Sequence, residues 1–421
     1  MRTSPRPQWS DPPFDLTPQD VAALGDDLVA YHAHFAGLFG RSEPRAWSLK
    51  YLQGLLLPIA SKSAETMALA VSDGNVRDMQ RFVGQGVWDG DALLKRHVEL
   101  VAESLGDASG VLIVDGSDFP KQGCHSAGVA RQYCGALGKV ANCQAGVFLA
   151  YAAPQGHTLL DRRLYLPQAW LTEAYKDRRQ KCGIPKDVQF RTKPQLAWEM
   201  IQQVQSDGIL PFSWVVCDEA FGDTPQFLEE LECAEITYLA EVAVSTRVWR
   251  RPPRTEVVTS KDTDRRPVRE RVCADSPKPV RADALAQQLP AEAWRTYQIK
   301  EGEKAPLQAQ FAFVRAVAVR QTMPGPQVWV VLRRRLGDAP ELKAYLSNAT
   351  ADVDLHELVR VSGQRWPIET CFRQAKGKLG MAEYQTRSWQ GWYHHTTLVI
   401  LAHHFLVLIK LKHKKGPRRL R

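Results

Sequence analysis

The stretch SWVVCDEAFGDTPQFLEELECAEITYLAEVAV, Ser213 to Val244, leaves this chain the fewest choices of fold. A short apolar run ends on an acid, Asp218. A helix follows, opened by Thr224 and Pro225, and a second apolar run comes after it. Short apolar runs bounded by turn residues read as strands buried on both faces. Thr followed by Pro is a helix-start signal. Two such strands pack in parallel across the intervening helix, which makes this part of the chain an α/β sheet.

Three more strands precede this unit. VLIVDG (Val111 to Gly116) ends in an acid and a glycine, CQAGVFLAYA spans Cys143 to Ala152, and HTLLDRRLYLP follows the turn PQG. The helix TKPQLAWEMIQQVQSDG, closed by Gly208, links them to Ser213. The order is three strands, helix, strand, helix, strand: a meander continued by parallel strands. Upstream, DLTPQDVAALGDDLVAYHAHFAGLF starts at a cap at Thr17, and SAETMALAV and DALLKRHVELVAESLG keep the helical period. They form a separate helical module. Downstream, WRRPPRTEVVTSKDTDRRPVRERV is Arg- and Pro-rich and too long for an ordinary loop. Strands QFAFVRAVAVR and QVWVVLRRR follow, joined at the turn MPGP, before SGQRWPIETCFRQAKGKLG resumes as helix. The expected organisation is a helical domain (1–105), a core in two parts (106–244 and 346–421) and a β-rich basic insertion (245–345).

Composition narrows the partners. The formal charge of +9 and pI near 9.1 lean toward a polyanion. None of the eight cysteines forms a C-x-x-C pair, which argues against a zinc ribbon and suits a reducing cytoplasm. MRTSPRPQWSDPPF has no apolar signal region. TTLVILAHHFLVLIKL is the most apolar stretch, and a histidine pair interrupts it, so it reads as a buried helix. His394/His395 and His403/His404 lie on that apolar helix and read as structural. GALGKV, Gly135 to Val140, lacks the P-loop pattern, so no nucleotide site is expected.

Three acids stand out: Asp115 and Asp218 at strand ends, and Glu369 on the helix after the insertion. Ligands of open α/β sheets gather at the carboxyl ends of strands. Ile368, Cys371, Phe372, Ala375 and Leu379 would face the sheet, while Glu369, Arg373 and Lys376 would share an adjacent face. Three carboxylates brought within ~4 Å repel by roughly 4 kcal/mol per pair at an effective dielectric near 20. Such a site needs cations, and oxygen-only ligands select Mg²⁺, with Mn²⁺ as substitute. Two such ions can clamp the attacking and leaving oxygens of a phosphodiester. Taken singly, each acid reads equally as a cap, a turn residue or an ion-pair partner.

These residues and their settings resemble the DDE transposases of bacterial insertion sequences, most closely the insertion-sequence family numbered seven hundred and one. LIVDGSDFPKQGCHSAGVARQYCGALGKVANCQAGV, VVCDEAFGDTPQFLEEL, AYLSNA and GQRWPIETCFRQAKGKLGMAEYQTRSWQGWYHHTTL carry the resemblance, from about Val111 to Leu406. It implies a ribonuclease H-like mixed sheet with a β-strand insertion before the glutamate helix. By position, Asp115, Asp218 and Glu369 correspond to the catalytic, metal-binding acids. Arg365, Glu369 and Lys376 match a tyrosine, arginine, glutamate and lysine signature, with Ser362 at the tyrosine position. Asp118 competes for the first-acid role. Asp115 is preferred because it ends the apolar strand, and Asp118 reads as a turn residue.

The function this implies is cutting and joining of insertion-sequence ends. The partners would be terminal inverted repeats and target DNA, and the active state would be a homodimer. Lys121, Arg131, Arg365, Arg373, Lys376 and Arg387 are the expected phosphate contacts. The N-terminal helices would recognise the repeats, and the Arg-rich stretch from Arg247 to Arg281 would follow the DNA. Trp249, Trp329 and Trp389 are candidates for stacking on an unpaired base, or for the core. The alternatives are a non-catalytic DNA-binding regulator derived from a transposase, and a nuclease without strand transfer. No membrane or nucleotide partner is expected, and the location is the bacterial cytoplasm, at the nucleoid.

Overall fold

The computed structural model describes residues 18–258, 269–300, 307–337 and 341–413. The cap at Thr17, the proline-rich first residues, part of the Arg-rich stretch (259–268) and most of the basic tail lie outside the described residues.

Five helices come first: α1 (Pro18–Ala36), α2 (Ser42–Leu56), α3 (Ala64–Ala70), α4 (Val76–Gln85) and α5 (Gly90–Leu105). Ser63, Asn75 and Asp89 cap α3, α4 and α5 through their side-chain oxygens. Next come β1 (Val111–Pro120), β2 (Ala130–Cys134), β3 (Lys139–Ala153) and β4 (Gly156–Tyr165), followed by α6 (Lys176–Cys182) and α7 (Lys193–Asp207). Thr192 and Gln195 close a capping box on α7, and Gly208 ends it at φ 62. The chain continues through β5 (Trp214–Cys217), α8 (Glu219–Gly222), α9 (Pro225–Cys233) and β6 (Tyr238–Val242). After these come β7 (Arg247–Trp249), β8 (Thr255–Val258), β9 (Arg269–Val272), β10 (Val280–Arg281), α10 (Ala282–Gln288), β11 (Arg295–Lys300), β12 (Leu307–Arg320), β13 (Met323–Arg335) and β14 (Leu342–Ser347). Helices α11 (Leu355–Ser362), α12 (Trp366–Lys378) and α13 (Trp389–Lys412) complete the chain.

One large mixed sheet runs β10-β7-β12-β13-β14-β6-β5-β1-β3-β2, with β4 also on β3 and β11 on β12. Among the described residues only β1, β5 and β6 pair in parallel, and the β3–β4 meander flanks them. Of the later strands, β7 and β10 to β14 join through β14, which pairs antiparallel with β6, and widen the same sheet, while β8 and β9 pair as a separate ribbon. Two details differ from the sequence reading. The β12–β13 turn is Gln321–Thr322, both at positive φ, and MPGP lies inside β13, where its backbone still pairs with β12. Strand β1 does not end at Asp115, because Gly116 to Pro120 keep their ladder to β3.

Alternation along the strands sorts two cores. Ile113, Phe119, Phe148, Val216 and Leu239 share one core with Ile368 and Phe372 of α12 and Trp392 of α13. Leu112, Val114, Val147, Val215, Cys217 and Tyr238 share the other with Met200 and Ile201 of α7 and Leu228 of α9. The first core also holds Phe35, Tyr51, Leu52, Met79 and Phe82 of the N-terminal helices, which pack around α13. By length and composition α13 would suffice to cross a membrane, yet 72% of its apolar window is buried here, so burial accounts for its composition.

The histidines of α13 are structural. His394 meets the carbonyls of Val83 and Trp88, His395 meets Tyr51 Oη at 2.9 Å, and His403 meets Thr158 Oγ1 and Gln374 Oε1. Burial pushes His395 down to about 4 and His403 to about 3. Trp249 is buried, and its Nε1 donates to the Pro277 carbonyl. All eight cysteines are free thiols.

Candidate active site

Register sets two of the three expected acids side by side. Val114 lies beside Cys217 in the parallel β1–β5 ladder, so the next residues of the two strands, Asp115 and Asp218, are neighbours. Cys217 lies beside Ala240 in the β5–β6 ladder, so Asp218 is followed across by Glu241. Adjacent strands lie ~5 Å apart, which makes a row of three carboxylates at one sheet level. All three continue the face of Ile113, Val216 and Leu239, which α12 covers. Asp218 is also the N-cap of α8, its Oδ1 accepting from Ala220 N at 3.1 Å.

Helix α12 adds Glu369 through Arg365, the residue at its N-cap. The Arg365 guanidinium lies 2.7 Å from Glu369 Oε1, 3.7 Å from Glu241 Oε2 and 3.9 Å from Asp218 Oδ2. The i,i+4 partner of Glu369 is thus Arg365, on the preceding turn. The expected shared face with Arg373 and Lys376 does not form around it. Arg373 is exposed and lies over the Trp366 ring at 5.9 Å, and Lys376 Nζ turns to the Asp118 carbonyl at 3.3 Å.

Electrostatics follow from this crowding. Burial, then repulsion from Asp218 and a smaller one from Glu369, pushes Asp115 up to about 7, against the pull of Arg365 and the Gly116 N–H. Burial also raises Asp218, again opposed by Arg365. Arg365 would be lowered by its burial, but Glu369, Glu241, Asp115 and Asp218 together hold it above its ordinary range. One guanidinium thus faces four carboxylates, and of these Glu241 also has Lys343 at 2.7 Å.

Glu241 was missed in the sequence. It is only 14% exposed at the side chain and also pairs with Lys343 at 2.7 Å. An acid inside the apolar run YLAEV was the available signal, and aligning VVCD against YLAE would have exposed it. Asp118 stands apart from the row. It lies three residues beyond Asp115 on the same strand, so its side chain leaves the opposite face. It accepts from Gly135 N at 2.6 Å.

The remaining expected DNA contacts scatter. Lys121 and Arg387 line a cavity of about 860 Å³ between the N-terminal helices and the end of β1. Lys121 Nζ sits 3.5 Å over the Tyr384 ring and donates to the Tyr384 carbonyl, and burial pushes it down to about 8. Arg131 is exposed on β2.

Among the described residues no three His, Cys, Asp or Glu side chains stand close enough to form a ready metal-ligand group. The donor chemistry nonetheless fits a hard divalent cation. Its donors are carboxylate oxygens alone, two of the three expected acids are pushed up by burial, and Arg365 is the cation beside Glu369 and Asp218.

Residues 34–306 match the family described as DDE superfamily endonuclease, a span that holds Asp115 and Asp218 and stops short of Glu369. Over 202 residues the chain is 28% identical to the probable transposase for insertion sequence element IS701 of Microchaete diplosiphon. The alignment covers 46% of this chain and 48% of that protein, so about half of each is compared.

Proposed function

Because the chain belongs to the DDE superfamily of endonucleases, we propose that it is a transposase that cuts and joins the ends of an insertion sequence. The observation that carries this reading is the convergence of acids from β1, β5 and α12 around Arg365. The path β4-β3-β1-β5-β6, a meander followed by parallel strands, supports a ribonuclease H-like core that the later strands extend. Likeness to a transposase over half its length supports the choice of DNA substrate. The N-terminal helices would bind the terminal inverted repeats. Cutting two ends calls for a homodimer on the DNA, in the bacterial cytoplasm.

Asp115, Asp218 and Glu369 would hold Mg²⁺, or Mn²⁺ in its place. When bound, the ions supply Lewis-acid activation of the attacking oxygen and charge for the leaving one. The rest falls to this chain. Arg365, beside Glu369 and Asp218, would offer its guanidinium to a phosphate of the bound strand. Glu241 helps to position that guanidinium and is held in turn by Lys343. Lys376, Lys121, Arg131, Arg373 and Arg387 add phosphate contacts that position DNA without reading sequence. The apolar floor of Ile113, Val216 and Leu239 keeps bulk water from beneath the acids.

The test is cleavage of DNA carrying the flanks of the chain's own gene, with and without Mg²⁺. Metal-dependent nicking at matched repeats, lost in Asp218→Asn while DNA binding persists, supports the reading. Binding without cleavage in either metal supports the regulator, and cleavage without end joining supports a simple nuclease.

A further inference from the structure

The segment GALGKV forms no phosphate loop. It is the tip of the β2–β3 hairpin, turning at Leu137 N to Cys134 O and at Gly138, φ 63. Its exposed side chains are unusual. Tyr133, Leu137 and Val140 are 64%, 47% and 54% exposed, and Tyr133 and Val140 face each other across the ladder. Arg131 and Lys139 flank them, both exposed. Between Asp118 and Asp161 the sequence has no acid at all. An apolar tip in an acid-free, cationic setting suits a polyanion with an apolar interior better than it suits water or an average protein surface.

Its placement adds a second argument. In the ladders, Asp118 lies opposite Ala145 and Ala130 lies opposite Cys143. A straight hairpin would carry Gly135 seven rows beyond Asp118, roughly 20 Å away. Instead Gly135 N donates to Asp118 Oδ2 at 2.6 Å. The hairpin therefore doubles back and stands beside β1, where Lys376 also reaches the Asp118 carbonyl. Asp118 is three residues, ~10 Å, along the strand from Asp115. The Asp118 side chain leaves the face opposite the acids, but β1 runs on to Pro120 past its last pair with β5, Val114 with Cys217, so the tip stands at the sheet edge where the acids lie.

We propose that the β2–β3 hairpin is a DNA wedge: Tyr133 and Leu137 insert between base steps next to the cleavage point, and Arg131 and Lys139 hold the phosphates on either side. Proteins that unstack DNA use this pairing of apolar wedge and flanking cations. The inference rests on the DNA-cutting function above. It assigns Asp118 a role as the anchor of the hairpin, outside the acid cluster.

The experiment uses the full chain and a duplex built from the gene's flanking DNA, with 2-aminopurine stepped through the positions around the cut, in Ca²⁺ to hold cleavage back. Wild type should raise the fluorescence several-fold at one or two positions. Tyr133→Ser/Leu137→Ser should bind within about threefold of wild type, lose that rise, and cut paired duplex at least tenfold more slowly. A substrate with mismatched pairs at the same positions should restore its rate. Both positions are exposed, and an unchanged melting temperature checks the fold. Equal fluorescence and equal cleavage on both substrates overturn the wedge and leave the nuclease standing, as does a slow variant that mismatches do not rescue. A wild type that cuts neither substrate overturns both readings.

Discussion

Asp115→Asn should make the metal-free protein more stable at neutral pH. Asp115 is pushed from its ordinary 3.8 to about 7, mostly by burial and by Asp218. The folded state therefore holds this proton more tightly than the unfolded state does. Between about pH 4 and 7 the native chain binds more protons, so stability falls as pH rises through that window. About three units correspond to ~4 kcal/mol, fully present above pH 7. Asparagine keeps the shape and the acceptor for the Gly116 N–H at 2.7 Å, but carries no charge. The attraction to Arg365 that it gives up is already contained in that net shift, so a gain of up to ~4 kcal/mol is expected at pH 8. Urea unfolding in EDTA at pH 4 and pH 8 reads it directly. Near-equal stability at pH 4 and a more stable variant at pH 8 fit the argument. Parallel pH profiles for the two proteins would refute it.

Arg365→Gln removes the cation beside Glu369 and Asp218, and should lower metal-free stability at pH 8 by about 2 kcal/mol, with Mn²⁺ restoring more of the melting temperature than it adds to wild type. Equal shifts would mean that Arg365 does not balance these acids. Glu241→Gln releases both Arg365 and Lys343 and should slow cleavage about tenfold with DNA affinity nearly unchanged; single-turnover rates against filter binding separate the two. Trp392→Ala empties the seam between α13 and Phe148 and should cost about 3–5 kcal/mol in chemical denaturation. A loss under 1 kcal/mol would contradict the place given to α13 in the core.

The sequence carried the sheet wherever burial forces apolar runs. VLIV, WVV and YLA are such runs, and their register then brings the acids together. Its limits are physical too. Gly116 to Asp118 look like a turn because their side chains are polar or absent, yet their backbones stay in the ladder. Strand β2 is short and half exposed, so ARQYC shows no clear alternation. The choice of Arg365 over Arg373 as the partner of Glu369 depends on where the first turn of α12 meets the sheet edge, which helical spacing alone leaves open. Glu241 hid because one acid in an apolar strand is visible only against its neighbours' register.

Mn²⁺ binding followed by electron paramagnetic resonance, in wild type and in Asp115→Asn, Asp218→Asn and Glu369→Gln, tests the shared site most directly. Each single change should weaken the tight Mn²⁺ sites by at least ~10-fold, about 1.4 kcal/mol, although the three residues lie on β1, β5 and α12. A variant that binds Mn²⁺ as wild type does would place its residue outside the site and contradict the account.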